Sequence, residues 1–508
     1  MISTIDMKRY PLAILAAAWM LTVGFDAQAE KLVLLHTNDT HSQIDPFPED
    51  NLGGIARRKV LIDSVRNAEE NVLLIDAGDI VQGTLFFNLY KGEVEEKLMN
   101  ALGYDMRILG NHEFDNGMQA LADNLAVADA ELLCANYDFR NTPLKDTFKP
   151  YSIKEVDGKR IAFLPINLQP KGMIADANCE GVGFIDEIEA ANGLAWYLKN
   201  IEHADMVVVI SHIGYDDDVK LIENSHDIDL LIGGHSHTLV NPADPNTPPY
   251  LIKNADGREI VVAQAGKGAR YLGEITIDLD DLAATPDYQL ILVDDRLDSR
   301  VGPEVEEIVS PYRAEVDALN KKQVTKAAKY LKKDSPEMVN FASDFVEWKG
   351  KELNPDVDLV IMNKGGIRND VDKGPVSEGQ VITLMPFFNR IVVIEVPGDS
   401  LIEAFNNMTR IGGAGLSKNV KAVYDKNTGT WEELTISGQP IDPNRNYKIA
   451  TIDYVANGGD YFHSLVDHKT LGTSKNYAFD DLLEYFRTGP GKGKSINPPS
   501  ERRLVLKK

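Results

Sequence analysis

Seven side chains that can bind metal ions follow short apolar runs in the first half of this 508-residue chain. Each run has the length and composition of a buried strand. Imidazole nitrogens, carboxylate oxygens and an amide oxygen are ligands that hard or borderline divalent cations prefer, and two neighbouring cations need about this many. The sequence therefore predicts a two-metal site with phosphoester-cleaving chemistry, built from Asp39, His41, Asp79, Asn111, His212, His235 and His237.

The motif from Gly110 to Asp115 is specific even when it is taken alone. Asn111 offers a neutral oxygen ligand, and the adjacent His112 can point at a substrate. Asp115 would fix the tautomer of His112 and favour its protonated form. This motif predicts a catalytic pair, His112 and Asp115, beside the metals.

A second specific motif runs from Gly233 to His237, where two glycines allow close backbone approach and two imidazoles can face adjacent metals. The remaining motifs are ordinary when each is taken alone. Asp39 and His41 could form only a loop hydrogen bond, Asp79 could be a turn residue, and His212 could be a structural histidine. Their combination in one chain favours the metal site.

The composition excludes some classes of partner. A formal net charge of −25 disfavours binding of a nucleic-acid polymer, because such proteins neutralise phosphates with surface Lys and Arg. The acidity leaves a small phosphorylated substrate open, since metal ions override the global charge at short range. An apolar fraction of 43% indicates a globular protein, and the length suggests more than one domain.

The N-terminus has the pattern of a cleavable signal peptide, residues 1–29. Lys8 and Arg9 precede an apolar run at 11–25, and small residues lead to a cleavage point near Ala29. The alternative, a short membrane anchor, is weaker because the run is shorter than the roughly 20 residues that span a bilayer. We expect a periplasmic or secreted protein. Its two cysteines, Cys134 and Cys179, could pair there or remain buried thiols.

Apolar runs alternate with helical patterns, which predicts an α/β fold. Every proposed ligand follows such a run, where open α/β sheets hold their ligands. We expect a metal-binding domain at 30–300, a linker helix within 301–326 and a second α/β domain at 327–508. Pro311 implies a kink or break in the linker helix. The predicted strands of the first domain are 32–35, 72–75, 106–109, 161–164, 206–210, 230–232, 260–263, 271–278 and 289–293.

These motifs, with Asn363 to Arg368 and Asn457 to Asp460 in the second half, resemble those of the secreted 5′-nucleotidase and UDP-sugar hydrolase family of calcineurin-like metallophosphoesterases. The resemblance covers about residues 31–500, in the family's order. It implies a four-layer αββα first domain and a C-terminal α/β domain that determines substrate specificity.

The resemblance also implies how the metal ligands are divided. Asp39, His41 and His237 would hold one ion, and a second set, Asn111, His212 and His235, the other. Asp79 would bridge the two divalent ions, which would be Zn, Mn, Co or Mg. A metal-bound water would attack phosphorus in line. His112, supported by Asp115, would stabilise the transition state as an imidazolium donor.

For the second domain the resemblance implies a substrate-binding set. Arg368 would contact the phosphate, Asn363 and Asp460 would bind base and ribose beside Gly365, and Tyr454 would stack on the base. A tyrosine at a strand end is otherwise more often a core residue, and Gly-Gly-Asp can be only a turn. The pairing with the first domain favours the binding interpretation.

Three positions depart from the family pattern. Glu347 stands where a second phosphate-binding arginine is usual, and Lys349 or Lys351 could compensate. Leu416 replaces the second aromatic residue of the base-binding pair. Lys364 replaces a glycine and would add positive charge beside the substrate. Tight recognition of an AMP-like nucleotide depends on these three positions, whereas phosphoester hydrolysis does not.

The sequence thus predicts an exported two-metal phosphohydrolase that cleaves nucleoside 5′-monophosphates or related nucleotides to nucleoside and phosphate. Alternatives are a UDP-sugar or 2′,3′-cyclic-nucleotide phosphodiesterase, a thiosulfohydrolase-like enzyme, or a non-catalytic exported binding protein. We expect a small-molecule nucleotide as partner, no membrane span, and a monomer or homodimer. A substrate bound by both domains would make the linker helix a natural hinge.

Overall fold

A computed structural model describes residues 30–507, so the predicted signal peptide lies outside the described part of the chain. Two six-stranded sheets form the first unit. The strand order of one sheet is Asp287–Leu292, Tyr271–Asp278, Lys31–Thr37, Val72–Asp76, Met106–Arg107 and Glu131–Leu132. The order of the other is Leu251–Lys253, Glu259–Ala263, Leu230–Ile232, Met206–His212, Lys159–Asn167 and Ser152–Val156. A short pair, Tyr137–Asp138 with Gly183–Phe184, lies beside them.

The two sheets face each other, and helices cover their outer faces. In the strand Lys31–Thr37, Leu32 and Leu34 point into the core between the sheets, whereas Val33 and Leu35 point into the outer core. This alternation follows the two-residue period of a strand. The helices of the first unit are Ile55–Ala68, Leu85–Tyr90, Glu93–Leu102, Met118–Leu125, Glu187–Asn200 and Tyr215–Glu223. The predicted four-layer αββα architecture is therefore confirmed.

The second unit contains a five-stranded and a four-stranded sheet. The five-stranded order is Gly415–Leu416, Leu359–Met362, Asn446–Ile452, Ile391–Pro397 and Lys469–Thr473. The four-stranded order is Gln439–Pro440, Thr430–Ile436, Val420–Asp425 and Leu504–Lys507, and Gln323–Ala327 pairs with Gly374–Ser377. The helices are Pro336–Leu353, Glu378–Leu384, Gly398–Arg410, Asp453–Ala456 and Ala478–Arg487.

One helix, Glu304–Lys321, connects the two units. It continues through Pro311, which lies on its exposed side, so the break expected there is not formed. Val305, Val309 and Val316 are buried along its inner side. They belong to a hydrophobic cluster that extends from the outer face of the first sheet into the second unit.

Neither cysteine takes part in a disulfide. The Cys134 sulfur lies 3.3 Å from Asn167 Oδ1, and the Cys179 sulfur lies 3.6 Å from the Ala175 carbonyl oxygen. Of the alternatives that the sequence left open, the structure has the free thiols. Among the described residues, no helix has the length and apolar character needed to cross a bilayer.

Candidate two-metal site and substrate cavity

The proposed metal ligands lie where the two sheets of the first unit meet. Strands ending at Thr37, Asp76 and Arg107 run parallel in one sheet, and strands ending at His212 and Ile232 run parallel in the other. Their carboxyl ends therefore share one edge of the layered unit. The loops that follow these strands carry six of the seven predicted ligands, and the seventh, His212, is the last residue of its strand.

Several of these ligands have a backbone conformation with positive φ. The φ angles of Asp39, Asp79 and His235 are 49°, 59° and 73°. Positive φ is costly for residues other than glycine, and it concentrates at functional sites. Glycines make room for the ligands: a Cβ on Gly110 would lie 2.2 Å from Asp79 Oδ1. The loops are thus shaped around these side chains.

The ligands form two groups whose coordinating atoms lie within 4.8 Å of one another: Asp39, His41 and His237 in one, and Asp79, His212 and His235 in the other. Asp79 Oδ2 lies 4.0 Å from His41 Nε2 and 3.3 Å from His212 Nε2, so it faces both groups. Asn111 Oδ1 lies 2.9 Å from His235 Nδ1 and joins the second group.

The donor set fits two divalent cations. His212 is fully buried, its Nδ1 faces the Ala77 carbonyl oxygen at 2.6 Å, and its Nε2 has no hydrogen-bond partner. The Nε2 atoms of His41 and His237 face each other at 2.8 Å. Nitrogen lone pairs directed in this way are what a metal ion would satisfy.

The pKa values of most of the histidine ligands favour neutral imidazoles. Burial lowers the pKa of His237 to about 3 and that of His235 to about 4, with further lowering by Lys267 and His212 respectively. The pKa of His41 is also well below its usual value, through burial and His237. Neutral imidazole is the form that coordinates metal ions.

The pKa values of Asp79 and His212 shift in the opposite sense because these two side chains pair with each other. Burial opposes ionisation of Asp79, yet His212, His112 and His41 hold its pKa well below the usual value. The pKa of His212 is raised to about 10, since Asp79 outweighs the effect of burial. Burial raises the pKa of Asp39 to about 7. Bound cations would favour the charged carboxylates and the neutral histidine.

Two supporting residues were not singled out in the sequence. The Glu113 carboxylate accepts from the backbone N–H groups of Asp79, Ile80 and Gly110, at 3.1, 2.8 and 2.5 Å. It ties together the loops that carry Asp79 and Asn111. The other is Asn38, whose Nδ2 donates to Asp39 Oδ2 at 2.6 Å. The signal in the sequence that could have identified Glu113 is its position inside the motif from Gly110 to Asp115, as a charged residue next to His112.

His112 and Asp115 form the pair that the sequence predicts. His112 Nδ1 lies 2.9 Å from Asp115 Oδ2, which leaves Nε2 free to face a substrate. Burial alone would lower the pKa of His112, but Asp115 and Asp79 raise it above the usual value. Phe387 stacks against the imidazole with ring centroids 5.8 Å apart and planes inclined by 20°.

A cavity of about 540 Å³ lies between the two units. One side is formed by the metal groups and the His112 pair, and the other by the second unit. All the predicted substrate residues line it: Asn363, Gly365, Arg368, Tyr454 and Asp460. The volume suits a nucleotide-sized ligand, since such sites range from roughly 300 to 1,000 Å³.

The predicted substrate residues also contact one another. Asp460 accepts through Oδ2 from Asn363 Nδ2 at 2.9 Å, and its Oδ1 lies 3.1 Å from the Tyr454 hydroxyl oxygen. The first unit takes part as well, because the Gly172 carbonyl oxygen accepts from Asp460 N at 3.0 Å. Arg368 Nη2 donates to Gln82 Oε1 of the first unit at 3.2 Å.

Glu347 and Lys364, two of the departures from the family pattern, do not line the cavity. Glu347 pairs with Lys351, and Lys349 pairs with Glu484. Lys364 Nζ donates to the Gly412 carbonyl oxygen at 2.6 Å. Glu347 is therefore not placed to contact a phosphate in the cavity, and the Lys364 ammonium group, expected beside the substrate, is directed at Gly412.

Leu416, the third departure, is 1% exposed and pairs with Ile361 in the sheet. It does not line the cavity, so this position offers no contact to a ring bound there. The sequence did not point to several residues that do line it, among them Lys91, Met173, Phe387, Phe388, Asn389 and Tyr477.

Comparison with known proteins places these features in a family. The sequence matches the profile of the calcineurin-like phosphoesterases over residues 32–239 and that of the 5′-nucleotidase C-terminal domain over residues 314–467. An apyrase from Tabanus yao is 30% identical, covering 89% of this chain and 90% of that protein. A 5′-nucleotidase from Rattus norvegicus is 26% identical, covering 97% and 93%.

The fold has a solved counterpart. The crystal structure of a 5′-nucleotidase precursor from Thermus thermophilus superposes with a TM-score of 0.83 at 28% identity, covering 94% of this chain and 99% of that one. Both halves of the chain, in the same order, thus match one two-part architecture. The chain belongs to the 5′-nucleotidase family of calcineurin-like metallophosphoesterases, which are metal-dependent phosphoester hydrolases.

Proposed function

We propose that this protein is an exported phosphohydrolase that cleaves nucleoside 5′-monophosphates or closely related nucleotides to nucleoside and phosphate. One observation carries the proposal. A single cavity is lined by members of both candidate metal-ligand groups on one side, Asp79 and His235 from one and His237 from the other. Its other side is lined by Asn363, Arg368, Tyr454 and Asp460. A phosphate ester with a polar sugar and a ring would contact both sides.

We assign the metal ligands from the two groups. Asp39, His41 and His237 would hold one divalent ion, and a second set, Asn111, His212 and His235, would hold the other, with Asp79 between them. Zn, Mn, Co and Mg all remain candidates, because nitrogen and oxygen ligands are mixed. When bound, the ions would lower the pKa of water and neutralise charge on the phosphoryl oxygens.

Side chains of this protein would donate a proton or hydrogen bond to the reacting group and bind the phosphate and the nucleoside. Asp115 holds Nδ1 of His112, so that Nε2 donates to the phosphoryl or leaving oxygen as negative charge develops. Arg368 is half-buried with Asp115 and Asp79 nearby, and it would pair with the phosphate. Asn363 and Asp460 would hydrogen-bond the nucleoside.

Export is part of the proposal. It is supported by the signal-peptide pattern of residues 1–29. The Thermus protein of the same fold is described as a precursor. Sequencing the N-terminus of the secreted or periplasmic protein tests it: we expect the mature chain to begin near Glu30.

The activity is tested with purified protein, stripped of metal and then supplied separately with Mn, Co, Zn or Mg. We expect release of phosphate and nucleoside from AMP in at least one metal. UDP-glucose and 2′,3′-cyclic AMP belong in the same panel, and their products identify the alternative phosphodiesterase activities. If no metal supports cleavage of any phosphomonoester or nucleotide, the proposal is wrong.

A matched pair of variants connects the activity to the site. Asp79→Asn removes the carboxylate that faces both metal groups, and we expect it to lose bound metal and turnover together. Asp256→Asn changes a carboxylate that is 58% exposed and pairs with His226. Asp256 does not line the cavity. This control should keep both properties.

A further inference from the structure

The five-stranded sheet of the second unit directs one edge at the cavity, and its register fixes the order of side chains along that edge. Asn363 follows the strand Leu359–Met362, and Tyr454 follows Asn446–Ile452. The next strand, Ile391–Pro397, runs antiparallel with Ile391 opposite Ile452. Phe388 comes three residues before this strand and therefore lies near the same edge.

Tyr477 extends this row by one more strand. It follows Lys469–Thr473, whose Thr473 lies opposite Val392. The sequence of strands therefore places Leu416 on one side of Tyr454, beyond Asn363, and places Phe388 and Tyr477 on the other side.

The two sides of Tyr454 differ in whether they have a side chain that can contact a planar ring in the cavity. Leu416 is buried in the sheet and absent from the lining of the cavity. Phe388 and Tyr477 both line the cavity and are half-buried. Aromatic faces left partly open inside a concave site are suited to stacking or edge contacts with a planar ring.

Phe388 and Tyr477 are held in place by their neighbours. Their ring centroids are 5.2 Å apart at an interplanar angle of 85°. The Arg390 guanidinium lies 4.7 Å from the Tyr477 centroid and donates to the Ser474 carbonyl oxygen. Phe479 supports Phe388 from within the second unit, with centroids 5.8 Å apart. Such preorganisation reduces the entropy lost on binding.

The first unit closes this part of the cavity. Lys91, which ends the helix Leu85–Tyr90, places its Nζ 5.9 Å from the Phe388 centroid. Asn88 of the same helix donates to the Pro386 carbonyl oxygen at 2.6 Å, next to the aromatic segment. A ring bound against Phe388 would therefore be enclosed by both units.

We propose that Phe388 and Tyr477 form the ring-binding subsite of this protein, on the side of Tyr454 away from Leu416. The subsite would hold the base of a nucleotide whose phosphate lies at the metal groups. This inference rests on the proposed function and deepens it. It assigns specificity for phosphate esters that carry a planar base over sugar phosphates that carry none.

The test compares AMP with ribose 5-phosphate, which carries the same sugar and phosphate but no base. For Phe388→Leu and Tyr477→Leu we expect KM for AMP to rise about tenfold, the usual scale of one lost base–aromatic contact. Kinetic parameters for ribose 5-phosphate should stay within about twofold. Tyr424→Leu is the matched control, since Tyr424 is a half-buried aromatic residue of the four-stranded sheet that does not line the cavity.

The outcomes separate the two levels of the proposal. If the unaltered protein cleaves phosphomonoesters but the variants affect both substrates equally, or neither, the subsite assignment is wrong and the proposed function stands. If the unaltered protein cleaves no phosphomonoester in any metal, the function is wrong and the subsite falls with it. Thermal unfolding midpoints of all three variants show whether each variant is folded. If either Phe388→Leu or Tyr477→Leu fails to fold, the other still tests the subsite.

Discussion

At the scale of single residues, His112 is distinguished by the charges around it. Asp115 contacts its Nδ1 and Asp79 lies close by, so the imidazole remains a donor although it is buried. We expect His112→Asn to lower kcat by roughly 10²- to 10³-fold, the usual loss for one transition-state donor. Bound metal, measured by elemental analysis, should not change. His226→Asn, a histidine 64% exposed and also paired with a carboxylate, is the control.

The same pair makes the activity depend on pH in a defined direction. Asp115 and Asp79 raise the pKa of His112 despite burial, so the donor form persists to higher pH than it would in a free histidine. Activity should fall as pH rises through that raised pKa. In Asp115→Asn the fall should begin at lower pH, because one stabilising charge is gone. Profiles of kcat/KM against pH measure this, and coincident profiles would contradict it.

Glu113 acts on the metals through the backbone. Its two oxygens accept from three N–H groups of the Asp79 and Asn111 loops, so Glu113→Gln leaves at least one of them facing an amide N–H₂. We expect metal affinity to fall by about 10- to 100-fold, as for other groups that orient ligands. Equilibrium dialysis measures this, with Glu189→Gln on an outer helix as control. An unchanged affinity would show that the two loops keep their conformation without the Glu113 carboxylate.

The metal ligands could be predicted from the sequence because each one closely follows a strand along the chain. Residues that line the cavity by virtue of sheet order could not be predicted in this way. Phe388 and Tyr477 are 89 positions apart in numbering, and only the placement of Ile391–Pro397 beside Lys469–Thr473 brings them together. For the same reason the sequence showed that Leu416 replaces an aromatic residue of the family, but not that sheet pairing buries it.

At the scale of elements, Glu131 connects the edges of the two sheets in the first unit. It lies in the edge strand Glu131–Leu132 and contacts Ser152 and Lys154 of the other sheet's edge strand at 2.7 and 2.8 Å. Burial opposes its ionisation, but hydrogen bonds from Lys149, Lys154 and Ser152 lower its pKa to about 2. The link is therefore strongest when Glu131 is charged.

This gives a prediction about stability and pH. A folded-state pKa below the unfolded value stabilises the protein above about pH 4.5, and the contribution disappears as pH falls towards 2. We expect Glu131→Gln to lose about 1 kcal/mol at pH 7, since its lysine partners are solvent-exposed, and progressively less in acid. Urea unfolding at several pH values measures this. Glu155→Gln, exposed on the strand Ser152–Val156, should show no such trend.

Strands were predictable from sequence to the extent that they are apolar. The buried strands Met206–His212 and Leu230–Ile232 were found by their continuous apolar runs. The strand Thr430–Ile436 was not predicted, because it is half-exposed and carries Glu432 and Glu433 between its apolar residues. The linker helix was predicted by its acidic first turn, but its continuation through Pro311 depends on the exposed position of that residue.

At the scale of the whole molecule, the sequence indicated two units but not how they face each other. That relation depends on contacts between residues far apart in the chain. The linker helix is tied to the first unit by Tyr312, whose hydroxyl donates to Glu93 at 2.7 Å, and by Arg313, which pairs with Asp45. Its end meets the second unit, where Lys322 pairs with Glu378. Motion about this end is where we expect the hinge.

One hydroxyl group connects the two units at the cavity. The Tyr454 hydroxyl donates to the Gly172 carbonyl oxygen, 3.2 Å away in the first unit, and lies 3.1 Å from Asp460 Oδ1. Tyr454→Phe keeps the ring and removes these contacts. Because a net hydrogen bond contributes about 1 kcal/mol, we expect the closed population to fall and kcat/KM for AMP to drop about fivefold.

The control for this prediction is Tyr461→Phe. Tyr461 also lies against Gly172 but is 47% exposed. Small-angle scattering without substrate should show a larger radius of gyration for Tyr454→Phe than for Tyr461→Phe, and hydrogen exchange at the amide of Asp460, which donates to Gly172, should be faster. If Tyr454→Phe loses activity while its scattering curve and exchange rates are unchanged, the hydroxyl acts on the substrate and not on closure. The hinge would then have to be tested from the linker helix itself.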